Sequence, residues 1–235
     1  MMVACLDVAE SAKDADILLI NLPHQLVTDT CSKIQDGIPC YMLVSADIAD
    51  KAATGTFCDA TIGSDNYKDG QMIQELFQTD KLKVDIKLHR QGVEISASLE
   101  DIVALAAGIY DGLSDKTKAI VIRIGLNEMI QFCKYFFNGH LEVIESYCIG
   151  VLYTSCYAGR NKEVGEALVK TGKCIKTLEE EMFNGQELQG PIAAARVTEW
   201  LKATGESNDL PTFERPTLDH PTVERPRHLS DRHFE

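Results

Sequence analysis

The chain has 235 residues, 45% of them hydrophobic, enough apolar material for one or two cored domains. Its 36 Asp and Glu outnumber 23 Lys and Arg, for a formal net charge of -13, which opposes non-specific binding to nucleic acid or to an anionic membrane surface. No run of about 18 apolar residues exists, so no membrane span is expected, and the first ten residues lack the basic and apolar regions of an export signal.

Residues 1–90 read as alternating strands and helices. Ala15–Leu22 is a short apolar run of the kind buried in a parallel sheet. Pro23-His24-Gln25 then opens a helical stretch, because proline fits a first helical turn and blocks a strand. Cys40–Val44, Ala60–Gly63 and Leu82–Ile86 are three further strands, with a helix from about Gly70 to Gln78 between the last two. The expected fold class is therefore α/β here, an incomplete Rossmann-like, doubly wound parallel sheet.

From Val93 the period changes to that of an all-α C-terminal domain. Ile95, Leu99, Ile102, Val103, Ala106 and Ile109 recur at helical spacing, as do Ile120, Ile124, Met129 and Phe132. A helix pair follows over 162–184, and a last helix over Ala193–Lys202 begins after Gly190-Pro191. Trp200 falls among its apolar positions and reads as a core or interface residue. Glu179-Glu180-Glu181 reads as a solvated face. After Gly205 four of the seven prolines crowd between Pro211 and Pro226 and apolar residues thin out; such a tail cannot bury enough surface to order itself. The expected divisions are 1–92, 93–204 and a disordered tail, 205–235.

The eight cysteines form no CxxC pair and read as reduced thiols of a cytoplasmic protein, with no metal site expected.

Chemistry concentrates in Cys156-Tyr157-Ala158-Gly159-Arg160-Asn161 and Gln186-Glu187-Leu188-Gln189-Gly190-Pro191. An adjacent Arg-Asn pair offers a guanidinium fork and an amide, a set suited to holding a phosphate. Together with Leu22-Pro23-His24-Gln25, Ser45-Ala46-Asp47-Ile48-Ala49, Phe57–Gly63 and Asp111-Gly112-Leu113, these stretches resemble NAD-dependent glycerol-3-phosphate dehydrogenase over residues 3 to about 203. The resemblance implies interconversion of glycerol 3-phosphate and dihydroxyacetone phosphate, NAD as cofactor, and a homo- or heterodimer joined through the helical half. It assigns Arg160, Asn161 and Ser155 to a small phosphorylated substrate, and Ala46, Arg160 and Gln189 to the cofactor.

The departures from that family are as specific as the matches. No two of the 16 glycines are separated by one residue, so the Gly-x-Gly turn that lets backbone amides approach a pyrophosphate is absent. Between Gln35 and Gly37 roughly thirty family residues are missing, including a strand whose loss would leave its sheet neighbours unpaired. The family's Ala-Leu-Lys-Asn turn becomes Ser98-Leu99-Glu100-Asp101, which puts Glu100 where the lysine that serves as general acid and base would stand. An ionised carboxylate has no proton to give, and at about 5 Å and an effective dielectric of 20 it repels each phosphate charge by roughly 3 kcal/mol. Val151 replaces an assisting aspartate, and Glu187 replaces a second cation. No catalytic residue is intact by this reading. The expectation is a family member impaired in catalysis, with a non-catalytic phospho-ligand binder or dimer partner as the alternative.

Overall fold

The computed structural model describes residues 8–13, 15–20, 38–45, 54–113, 118–137 and 146–205. Contacts divide the chain into two units, Met1–Cys40 and Tyr41–Glu235. In the first, α1 (Val8–Ala12) precedes residues 15–20, which are irregular rather than the expected strand. Leu19 is 71% exposed there. An apolar run becomes a strand only when a neighbour completes its hydrogen bonds, and no described strand pairs with this one. Pro23-His24-Gln25, the Gln35–Gly37 junction, Ala46 and the proline-rich tail lie outside the described residues.

The second unit begins with a three-stranded sheet in the order β1 (Met42–Ser45), β2 (Cys58–Gly63), β3 (Leu82–Lys87). β2 and β3 run parallel, with Cys58 opposite Leu82 and Gly63 opposite Lys87. They are joined by a crossover helix, α2 (Tyr67–Phe77), as parallel neighbours require. β1 runs antiparallel to β2, with Met42 opposite Gly63. The sheet is thus mixed, which corrects the parallel expectation. Apolar runs reveal burial but carry no strand direction. Ile73 of α2 packs with Ala60, Ile62 and Val84. The Gln78 side chain accepts a hydrogen bond from the Val84 N–H at 2.9 Å, tying the helix end to β3.

The helical half is organised around α3 (Arg90–Gly112), 23 residues and so about 34 Å long. Its buried side chains Val93, Leu99, Ile102, Val103 and Ala107 meet Met129, Phe132 and Cys133 of α4 (Lys118–Phe137), Cys148, Leu152 and Cys156 of α5 (Ser146–Ala158), and Ala194, Val197 and Leu201 of α8 (Gln189–Thr204). Each large aliphatic side chain so buried contributes about 1.5–3 kcal/mol. Val44 of β1 joins the same cluster and so links sheet to helices. Trp200 packs edge-on against Phe132, with centroids 5.3 Å apart. α7 (Ile175–Phe183) closes a smaller core with α6 (Arg160–Thr171) through Leu178, Leu188, Val164 and Leu168.

α5 is not announced by any apolar stripe. It is apolar almost all round, with Ile149, Tyr153 and Tyr157 exposed opposite buried Cys148, Leu152 and Cys156, so no period stands out.

α3 and α6 cross with their backbones nearly touching. A Cβ on Gly108 would lie 2.0 Å from the Lys162 carbonyl oxygen, and one on Gly165 would lie 2.4 Å from that of Leu105. Any side chain at either position forces the helices apart. Gly150, by contrast, sits in α5 with open space where a Cβ would go. Gly108→Ala should therefore lower the urea unfolding free energy by about 3 kcal/mol or more, whereas Gly150→Ala should raise it by about 0.5–1 kcal/mol. Equal effects would mean that the crossing is looser than described.

Candidate functional site

The crossing brings the first turn of α6 against the middle of α3. Gly159, in extended conformation, separates α5 from α6; a Cβ there would lie 2.8 Å from the Ser155 carbonyl oxygen, so the chain can reverse this tightly only with glycine. Arg160 and Asn161 follow at once and face different ways.

Asn161 is turned inward and is 7% exposed. Its amide Nδ2 donates to Asp101 Oδ1 at 2.6 Å, and its Oδ1 accepts the Gly190 backbone N–H at 3.0 Å. α8 has no side-chain cap of its own, so Asn161 caps it from another helix, satisfying an N–H that the helix itself leaves unpaired. Gly190 must be glycine, since a Cβ would stand 2.6 Å from Asn161 Oδ1 and 2.7 Å from the Asp101 carbonyl oxygen. One amide thereby joins α3, α6 and α8.

Arg160 is turned outward and exposed. Its Nη1 donates to Gln186 Oε1 at 2.9 Å. Gln186 is delivered by a turn in which Asn184 and Gly185 take left-handed φ values of 54° and 79°. Glu179 closes that turn by accepting the Leu188 N–H at 2.8 Å. Glu179 is thus a structural acceptor rather than part of a merely solvated acidic face. Glu187 is exposed, and Gln189 lies half-buried in the first turn of α8.

Glu100 and Asp101, consecutive on α3, point to separate partners. The Ser155 hydroxyl of α5 donates to Glu100 Oε1 at 3.3 Å. Burial, then the neighbouring Asp101 charge, hold the Glu100 carboxyl well above its ordinary range, against a smaller opposing effect of the Ser155 bond. Burial also raises Asp101, to about 6, with the Arg160 charge and the Asn161 hydrogen bond pulling the other way. The nearby Cys156 thiol is pushed up to about 12 by burial and by Glu100, which makes it inert as a nucleophile.

Other cations are committed elsewhere. Lys118 pairs with Asp111 at 2.5 Å and Lys162 with the same carboxylate at 3.3 Å. Lys162 also reaches Glu166 at 2.5 Å. Arg160 is therefore the cation whose field acts on Asp101. Among the described residues, no three His, Cys, Asp or Glu converge on a point that could hold a metal.

Sequence-predicted Ser155, Glu100, Arg160, Asn161 and Gln189 thus fall in one region, while Ala46 lies outside the described residues. Val151 is buried one turn before Ser155 and adds only apolar surface. Asp101 is the participant that sequence reasoning did not single out. Its signal was its place beside Glu100, where the resembling family carries an asparagine.

Residues 89–215 match the family model described as the NAD-dependent glycerol-3-phosphate dehydrogenase C-terminus. Cytoplasmic NAD(+) glycerol-3-phosphate dehydrogenase of Bos taurus is 38% identical over 90% of this chain and 72% of its own length; the Homo sapiens protein is 36% identical over the same shares. Among solved structures, glycerol-3-phosphate dehydrogenase from Saccharomyces cerevisiae aligns with a TM-score of 0.77 and 29% identity, over 90% of this chain and 73% of that one. The Dunaliella salina protein aligns with a TM-score of 0.83 and 29% identity over 89% of this chain; there the chain spans 43% of the longer protein.

The acid pair has a consequence for stability. Asp101 holds its proton to about pH 6 when folded, against an ordinary value of 3.8. Below about pH 4 both states are protonated and there is no penalty. As pH rises toward 6 the unfolded chain ionises first, and the native state loses stability, by about 3 kcal/mol once Asp101 ionises too. Asp101→Asn keeps an acceptor for Asn161 and removes the charge. Thermal unfolding should show the variant more stable at pH 8, with the gain fading between pH 6 and pH 4; a gain independent of pH would contradict the burial of this carboxyl.

Proposed function

Because the chain belongs to the NAD-dependent glycerol-3-phosphate dehydrogenase family, we propose that it retains the family's binding region for glycerol 3-phosphate or dihydroxyacetone phosphate and is impaired in turning them over. The observation that carries the reading is Glu100 at 3.3 Å from Ser155, half-buried next to Asp101 in the same region as the Arg160-Asn161 pair. A phosphate approaching Arg160 gains a guanidinium with donors to share. Ser155 and Gln189 add polar groups for hydroxyls. What the region lacks is an ammonium to stabilise oxyanion character at the reacting carbon. Glu100 in its neutral form can lend a proton, but its ionised form opposes the charge that develops. Val151 supplies no polar help, and the Lys118 and Lys162 ammonium groups are held by Asp111.

NAD is the cofactor of this family. Among the described residues, the helix start that follows β2 does not suit its pyrophosphate: it is already capped, with the Lys68 N–H donated to Asn66 Oδ1 at 2.9 Å, Asp69 in its first turn opposes a diphosphate, and the nearby Arg90 is paired with Asp65. A cytoplasmic location, as for the relatives named cytoplasmic, belongs to the same reading. So does a division into a partial α/β part over 1–92, a helical part over 93–204 and a tail.

The purified chain should oxidise NADH with dihydroxyacetone phosphate at least about 10²-fold more slowly than the bovine relative at pH 7.5, the scale of a lost acid–base group. Calorimetry should nonetheless register glycerol 3-phosphate, with Arg160→Ala weakening it about tenfold or more. Turnover equal to the relative's would refute the impairment, and absence of any saturable binding would refute the retained site.

A further inference from the structure

We propose that occupation of this site by an oxyanion is coupled to proton uptake by Glu100 and Asp101, so that the site fills as pH falls and empties as pH rises. The proposal rests on the anion-binding reading above and goes beyond it, because it makes the acid pair a control on occupancy.

The argument is geometric. Asp101 of α3 is one hydrogen bond from Asn161, the sequence neighbour of the exposed Arg160 guanidinium, and Glu100 is the residue before it. Asp101 is fixed by its 2.6 Å bond from Asn161, and Asn161 is fixed by the Gly190 N–H. Glu100 is held by Ser155 on α5. Neither carboxyl is exposed, and neither has room to swing aside without leaving a buried amide or hydroxyl unpaired.

Among the described residues, the charged and titratable groups acting on the pair are these, element by element. α3 contributes the two acids themselves, α5 contributes Cys156, and α6 contributes Arg160. Lys118 and Asp111 act on Cys156 and are paired with each other. His89 stands at the start of α3, eleven residues before Glu100 and about 16 Å away along the axis. With both acids ionised, Asp101 offsets the Arg160 charge and Glu100 adds a second negative charge beside Asp101, so a dianion is repelled. With both neutral, the same arginine is left with a net positive field. An arriving anion therefore favours the protonated forms, and by reciprocity protonation favours the anion.

The test uses sulfate, which keeps its double charge across the neutral range, so any pH dependence of its binding belongs to the protein. Titration calorimetry of the full chain in buffers of different ionisation enthalpy counts protons directly. We expect sulfate to bind about tenfold or more tightly at pH 6 than at pH 8, with uptake of about half a proton or more per sulfate near pH 7. Glu100→Gln and Asp101→Asn should each flatten that slope, and the double variant should abolish it while binding persists. Circular dichroism checks that the variants fold, and proton counting on the unaltered chain does not depend on them. Saturable binding with no slope and no proton uptake overturns the coupling and leaves the anion site standing. No saturable binding at any pH overturns both.

Discussion

With no side chain at Gly108 or Gly165, α3 and α6 approach until a methyl group would sit 2.0 Å from the Lys162 carbonyl oxygen, and that separation decides where Asn161 ends. A helix pair held at ordinary spacing would carry Asn161 away from Asp101 and stretch their 2.6 Å bond. At this spacing its amide meets Asp101 on one side and the Gly190 N–H on the other. The same contact turns Arg160 outward toward Gln186. A residue pair that reads in the sequence as two ligands for one phosphate is thus divided into an internal fastening and an exposed cation.

Electrostatics at the site follows from this division. Hydrogen bonds from Asn161 and Ser155 lower the cost of burying two acids but do not remove it, since burial is the largest influence on both. The arginine moderates Asp101 alone among the pair. Proton occupancy is therefore the cheapest way for the fold to relieve the strain of adjacent buried charges. The Lys118 and Lys162 ammonium groups that would relieve it otherwise are paired with Asp111 and Glu166.

Much of the architecture was legible in the sequence where a single period dominates. Ile95, Leu99, Ile102, Val103 and Ala106 mark α3 by their helical spacing, although from Ile102 to Gly108 the helix is buried on every side, and Ala60–Gly63 and Leu82–Ile86 mark β2 and β3 because short β-rich runs lie between turn residues. The irregular course of residues 15–20 and the antiparallel entry of β1 were not legible. A strand is completed by its partner, and strand direction is a property of the connection, so neither is written in the run itself. α5 escaped notice for the opposite reason: apolar on nearly every side, it offers no contrast for a period to appear in.

The sequence by itself determined which chemical groups the site can use: a guanidinium at 160, an amide at 161, a hydroxyl at 155, and an acid at 100 where the family sets a lysine. These identities are local and survive any packing. Tertiary structure alone decided their roles. Depth of burial, the 2.6 Å bond from Asn161 to Asp101 and the diversion of the lysines to Asp111 depend on which helices touch and how closely. Charge regulation grows as water is excluded, and exclusion of water is a property of the packed helices, not of any one residue.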